Sequence, residues 1–315
     1  MASGILSISA FHHHFYDLSL VLYVVSILLL IIIGIPSFWV TKDIVWKNND
    51  YHWKFNRYTL ISGIAVVITR TLILSPYFLF SYASILIFLI SIASALVFTF
   101  HEVIHKNFAI DSAHFSQLNV SVAIASSSIA FMTGISNVTT PTGWFVLYIA
   151  FFGVLLSLLF YFAFVALNIS KLLQGKYSIG NIDGTLWISM GLPALISLAF
   201  YSLTKIIPEP FSFLFSLVTE LYLWLWFLAT AMLIPVTAIS ILKIYHVRRI
   251  RYHPSLWAVV FPTGVYSFDT TLISRYFSSN YIYSYSVLFD IVSSSLFFLF
   301  LLLLILKSKK LGQFF

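Results

Sequence analysis

The chain has 315 residues, 60% of them hydrophobic and only 9% charged, with a formal net charge of +7 and no cysteine. Soluble domains run at roughly 45–50% apolar and about 25% charged residues, so this composition cannot solvate the surface of a water-soluble fold of this size. The absence of cysteine excludes disulfides, thiolate chemistry and Cys-ligated zinc, and the positive balance has to be read with membrane topology before nucleic acid is invoked.

A helix needs about 20 mainly apolar residues to cross about 30 Å of hydrocarbon. On that ruler the chain reads as an all-α integral membrane protein, a single domain over 1–315 with ten helices at 1–12, 17–40, 58–75, 78–100, 116–135, 142–167, 185–204, 211–243, 255–273 and 280–306. At about 1.5 Å per residue the first is too short to span, which predicts a natural start upstream of Met1. The eighth is long and contains Pro235, which predicts a kink or an interfacial beginning.

Lysines and arginines set the orientation. Lys42, Lys47, Lys54, Arg57, Lys106, Lys171, Lys176, Lys243, Arg248, Arg249, Arg251, Lys307, Lys309 and Lys310 lie in the loops after even helices or in the C-terminal tail. That is 14 of 17; Arg70, Lys205 and Arg275 lie toward the other side. The positive-inside rule then predicts cytoplasmic N- and C-termini. It also explains the net charge by topology, with no nucleic acid.

The helices pair into five hairpins whose members differ in chemistry. Even helices are bulky and apolar, as in Leu29-Leu30-Ile31-Ile32-Ile33 and the run from Phe297 to Leu306. Odd helices carry small and polar residues. Examples are Ser3, Gly4, Ser7 and Ser9 in the first, and Thr59, Ser62 and Gly63 in the third. The fifth has Asn119, Ser121, Ser126, Ser127, Ser128, Thr133 and Gly134. Ser189, Gly191, Pro193 and Ser197 mark the seventh, and Pro262, Thr263 and Gly264 the ninth. Uniformly apolar helices face lipid, whereas small and hydroxyl side chains belong against protein or water. The pattern predicts five parallel odd helices inside and five even helices outside. Close packing alone explains any single small residue; recurrence on all five odd helices favours a central polar path.

The segment Arg251-Tyr252-His253-Pro254-Ser255-Leu256-Trp257-Ala258-Val259-Val260-Phe261-Pro262-Thr263-Gly264-Val265-Tyr266-Ser267 carries Tyr-x-Pro-x-x-Trp leading into Phe-Pro-x-Gly-x-Tyr. It resembles the ninth-helix motif of the tellurite-resistance/dicarboxylate transporter family, which includes the slow-type anion channels. Trp187-Ile188-Ser189-Met190-Gly191 resembles the start of that family's seventh helix, and Met1-Ala2-Ser3-Gly4-Ile5-Leu6-Ser7 the Met-x-x-Gly-Ile-x-Ser run of its first. The resemblance implies five hairpins around a pore lined by the odd helices, in a homotrimer of the plasma membrane surrounded by lipid. The implied cargo is a small anion: an inorganic ion, an oxyanion such as tellurite or sulfite, or a C4-dicarboxylate such as malate. No cofactor or metal is implied.

Phe261 matches the aromatic residue that projects into the family's pore as a gate. Trp257, Pro262, Thr263, Gly264, Gly191 and Gly4 are expected to line or shape the path. Physically, a Phe ring in a narrow uncharged tube blocks ions by dewetting, and Pro262 frees a backbone group and bends its helix. Asp269 departs from the family, which has small or uncharged residues there. An unpaired carboxylate at the outer mouth repels anions unless Arg275 or Arg70 neutralises it.

Other ionisable residues carry competing readings. Arg70 is an intramembrane charge and so a functional candidate: it attracts an anion directly, pairs with Asp269, Glu220 or Asp290, or snorkels outward. Glu220 and Asp290, on even helices, read as interhelical partners. A proton-coupled dicarboxylate carrier needs a titratable group in the path, for which Asp269 is the candidate. His101-Glu102-Val103-Ile104-His105 fits a zinc-peptidase pattern, two histidines sharing a metal beside a glutamate base, with Asp183 as a third ligand. That enzymatic reading is opposed by its position at the cytoplasmic end of a lipid-facing helix. His12-His13-His14 reads as a solvated turn. The cluster Lys243, His246, Arg248, Arg249 and Arg251 anchors topology and attracts anionic headgroups or anions. No Gly-x-x-x-x-Gly-Lys-Ser/Thr motif occurs, so no ATP-driven pump is indicated.

Overall fold

The computed structural model describes residues 1–34, 51–75, 77–104, 110–135, 143–177, 182–207, 212–247 and 254–311. They form ten α-helices: α1 (Ala2–His12), α2 (Tyr16–Leu29, continued by a π turn, Leu30–Gly34), α3 (Tyr51–Leu74), α4 (Phe78–Ile104) and α5 (Leu118–Ile135). There follow α6 (Gly143–Leu173), α7 (Ile188–Thr204), α8 (Ser212–Val247), α9 (Trp257–Tyr276) and α10 (Asn280–Leu311). No strand occurs among the described residues. The expected segments are all present, but α3 begins seven residues early and α6 and α10 run on past their predicted ends. Hydropathy marks the hydrocarbon-length part of a helix, whereas its hydrogen-bond ladder continues into the interface.

Seven described helices are long and apolar enough to cross a membrane; α1 and α2 are apolar but shorter. Helix α9 has the length, 20 residues, but carries Ser267, Asp269, Thr270, Thr271 and Ser274 on its second half. It is spared lipid by its neighbours. Helix α1 packs on α3, α3 on α5, α5 on α7, α7 on α9, and α9 returns to α1, closing a five-membered ring. Each even helix packs outside on its hairpin partner. Burial follows the same division: 83% of the residues in the α5 and α7 spans are buried, against 17% in α8 and 22% in α10.

One contact type recurs in every hairpin. A hydroxyl on the inner helix donates to a backbone carbonyl on the outer helix. These bonds are Ser7 to Ser19 O (2.7 Å), Tyr58 to Ser94 O (3.0 Å), Ser121 to Ser157 O (2.6 Å), Ser197 to Tyr222 O (3.0 Å) and Ser267 to Ser286 O (2.8 Å). Where water is scarce such bonds hold helices together, at roughly 0.6 kcal/mol each. They also correct the central polar path. Ser7, Ser121, Ser197 and Ser267 turn toward their hairpin partners and do not line the ring's interior.

Pro193 is accommodated in the same way. Pro193 has no N–H to offer the carbonyl of Ser189, four residues back. The buried Tyr161 hydroxyl of α6 donates to that carbonyl instead, at 3.2 Å.

Candidate functional site

Contacts on α9 fix the direction of each face. Pro262 and Asp269, seven residues apart and therefore on one face, meet α7: Pro262 abuts Gly191, and Asp269 Oδ1 accepts from Ser197 at 3.1 Å. Gly264 and Ser267 meet α1, the latter with its hydroxyl 3.2 Å from that of Ser9. Tyr266 and Thr270 face outward to α8, through Thr230 at 2.8 Å and Trp226 Nε1 at 3.1 Å. At about 100° per residue, Phe261, Val265, Phe268 and Leu272 occupy the remaining face, toward the interior of the ring. Phe261 is 2% exposed and belongs to the same apolar core as Ile5 and Ile8 of α1.

The expected lining residues divide. A Cβ on Gly191 would stand 2.2 Å from Pro262 Cβ and 2.4 Å from its Cα, so only glycine permits this crossing of α7 and α9. Gly4 serves the α1–α3 seam, where a Cβ would stand 2.8 Å from Val66 Cγ1, and Gly264 serves the α9–α1 seam against Leu6 and Ile5. These three glycines face neighbouring helices at the ring's seams. Thr263 spends its hydroxyl on carbonyls of its own helix, Val259 and Val260. Trp257 corrects the expectation more strongly, because its ring packs outward against Phe297 and Phe300 of α10, at 5.4 and 6.1 Å between centroids.

Arg70 is buried, 2% exposed. Its Nε donates to Ser7 Oγ at 3.0 Å and its Nη2 to Ser19 Oγ at 2.8 Å, while the Phe11 ring lies 4.4 Å from the guanidinium carbon. Nη1 has no partner. The proposed pairing with Asp269 does not form. Arg70 sits at the α1–α2–α3 junction, and Asp269 across the ring at α7–α8–α9, where its Oδ2 and the nearby Tyr222 hydroxyl are both without a partner. Among the described residues Arg70 pairs with neither Asp290 nor Glu220, and of these two only Asp290 shows an interhelical partner. Asp290, buried on α10, has Ser9 beside it, and Glu220 is exposed.

At the end of the ring where α1 turns into α2, the positive charges of Arg275, Lys205 and Arg70 all bear on the His12 ring. Arg275 Nη2 donates to His12 O at 3.1 Å. The solvated-turn expectation holds for His14, which is exposed, but not for His13, which is 4% exposed. His13 Nε2 lies 3.2 Å from Thr271 Oγ1 and 3.4 Å from Ser267 Oγ. Burial, then Arg275 and His14, push its pKa down to about 4. At the opposite end, Lys171 and Lys176 bind the 110–113 turn, and the Lys176–Asp111 pair at 2.7 Å holds the Asp111 carboxyl below its ordinary range.

The side chains of His101, Glu102 and His105 lie outside the described residues, as do Arg248, Arg249 and Arg251. Asp183, offered above as a third zinc ligand, instead caps the turn leading into α7, accepting from Thr185 N at 3.0 Å and from the Thr185 hydroxyl. No cluster of three metal-ligating side chains occurs among the described residues. Sequence reasoning missed Phe11, Ser19 and His13. Ser19 left a trace, as a hydroxyl on a predominantly apolar outer helix.

A closed ring of five helices, three of its seams made at glycine, jacketed by five apolar helices, defines a multi-pass helical membrane protein. The family model described as voltage-dependent anion channel (SLAC1) matches residues 1–306. The chain belongs to that family of membrane anion channels and transporters. No curated protein and no solved structure matches it.

Proposed function

We propose that the chain is a plasma-membrane anion channel whose pore runs along the interior of the five-helix ring and is closed by Phe261. The observation that carries this reading is the α9 face of Phe261, Val265, Phe268 and Leu272, bracketed by the α7 and α1 contacts and turned inward. A ring of that size in an apolar tube excludes water and, with it, ions. The Gly191–Pro262 crossing fixes the backbone beside Phe261, so the gate is held by the scaffold. With hydroxyls spent on hairpin partners, selectivity comes from diameter and from the positive outer field of Arg70, Lys205 and Arg275. Cytoplasmic termini and a homotrimer belong to the same reading.

Reconstituted liposomes test it, with chloride, nitrate, sulfite and malate as cargo. The native chain is expected to pass little, and Phe261→Ala at least about tenfold more, as removal of a dewetting constriction requires. Equal and negligible flux in both proteins overturns the gate. A second reading, a proton-coupled C4-dicarboxylate carrier, draws on the unpartnered Oδ2 of the buried Asp269. It requires malate flux that follows an imposed proton gradient and loses that dependence in Asp269→Asn.

A further inference from the structure

Packing does not account for Arg70. A guanidinium stays charged at every accessible pH, and an unneutralised charge inside a bilayer protein is costly. Here Nε and Nη2 are spent on two neutral hydroxyls, Ser7 and Ser19, which staple α1 to α2 and so fix that edge of the fork. Nη1, on the opposite side, is buried with no acceptor. Among the described residues both buried carboxyls are engaged elsewhere, Asp269 with Ser197 and Asp290 beside Ser9. The Phe11 ring shields one face of the cation but brings no charge.

We propose that Arg70, covered by Phe11, binds a small monovalent inorganic anion, such as chloride or nitrate, in the outer half of the molecule. The level follows from the seams. Val66 meets Gly4, Gly264 meets Ile5, and Arg70 lies one turn beyond Val66. At 1.5 Å per residue this puts Arg70 about 9 Å outward of Phe261, on the side reachable from outside while the gate is shut. One guanidinium balances one charge. The other outer cations are committed, Lys205 over the Tyr201 ring at 4.6 Å and Arg275 to His12, so a dianion here stays half neutralised. At 2% exposure, enclosed by α1, α2 and α3, the site has no room for a lipid headgroup. Phe11 is half-buried and edge-on to His12 and Tyr16 at 5.7 and 5.6 Å, standing between the guanidinium and the outer surface.

The inference rests on the channel reading only for access, and binding is measurable without flux. The experiment is thermal unfolding of the purified full chain as sodium chloride replaces sodium gluconate at constant ionic strength. The native protein is expected to gain Tm saturably. Arg70→Gln should be more stable than the native chain in gluconate and lose the response, its half-saturating concentration rising at least about tenfold, the loss of one charge-assisted hydrogen bond. Arg70→Lys should retain a weakened response, and Phe11→Ala, which leaves the cation in place, should shift half-saturation several-fold. No chloride response in the native chain, an unchanged response in Arg70→Gln, or a stability loss in that variant that is the same at every chloride concentration overturns the proposal. If Arg70→Gln does not fold, native half-saturation in both Arg70→Lys and Phe11→Ala overturns it. Conduction by Phe261→Ala without Arg70-dependent binding sinks this inference alone; binding without conduction sinks the channel reading alone.

Discussion

The inner and outer halves of the ring are built by different means. Around Phe261 the helices meet backbone to side chain through Gly4, Gly191 and Gly264, and the enclosed surface is apolar. Farther along, α1 with its C-cap His13, α3 and α9 carry Ser9, His13, Arg70, Ser267, Asp269 and Thr271, all buried. The inner half is tightest at Gly191, where a Cβ would stand 2.4 Å from Pro262 Cα, and close at Gly4 and Gly264. The outer half is held by hydrogen bonds that leave Arg70 Nη1, Asp269 Oδ2 and His13 Nδ1 over. On the proposed reading the tasks separate: dewetting would close the path at one level, and charge would sort what arrives at the next.

The Phe261 and Arg70 experiments address the two levels directly, and three further outcomes sharpen the contrast. The largest belongs to Gly191. A methyl there meets Pro262 backbone at 2.4 Å, so α7 and α9 have to separate. Gly191→Ala is expected to cost about 1–3 kcal/mol or more of stability, read as a fall in Tm, and Gly191→Val should prevent a monodisperse preparation. Stability unchanged in Gly191→Ala would mean that the inner half is loosely packed.

A smaller effect is expected in the outer half from His13. Its folded pKa, about 4, lies below the ordinary value of 6.5, so the unfolded chain takes up the proton first as the pH falls. Stability is therefore lost between about pH 6.5 and pH 4 and levels off below, by a few kcal/mol at most, one pKa unit being about 1.4 kcal/mol. His13→Gln should flatten the Tm profile over that window; a profile that stays equally steep assigns the loss to other groups. The smallest effect is that of Asp269→Asn. It keeps the shape and the Ser197 contact, so Tm should change by no more than about 1 kcal/mol equivalent, and anion flux through Phe261→Ala should be insensitive to it. A large loss of flux would move Asp269 from the seam into the path.

Much of this protein was written in its hydrophobic pattern. The ten segments and the assignment of odd helices to the inside follow from it; the anion-channel family came from the resemblance of three short motifs. Lipid is a one-dimensional filter, and side-chain polarity reports which helices it touches. The motif around Phe261 was legible for a related reason, since proline and glycine at fixed offsets impose backbone geometry locally. What the sequence did not contain was the azimuth of each polar group. Ser7, Ser121, Ser197 and Ser267 looked like a lumen and proved to be staples, because a hydroxyl beside an outer helix finds a carbonyl there. Trp257 looked like a lining residue and packs on α10. Arg70 and Asp269 looked like partners, yet α1 stands between their helices on one side of the ring and α5 and α7 on the other. Only the closing of α9 onto α1, a contact between opposite ends of the chain, decided which charges meet and which remain alone.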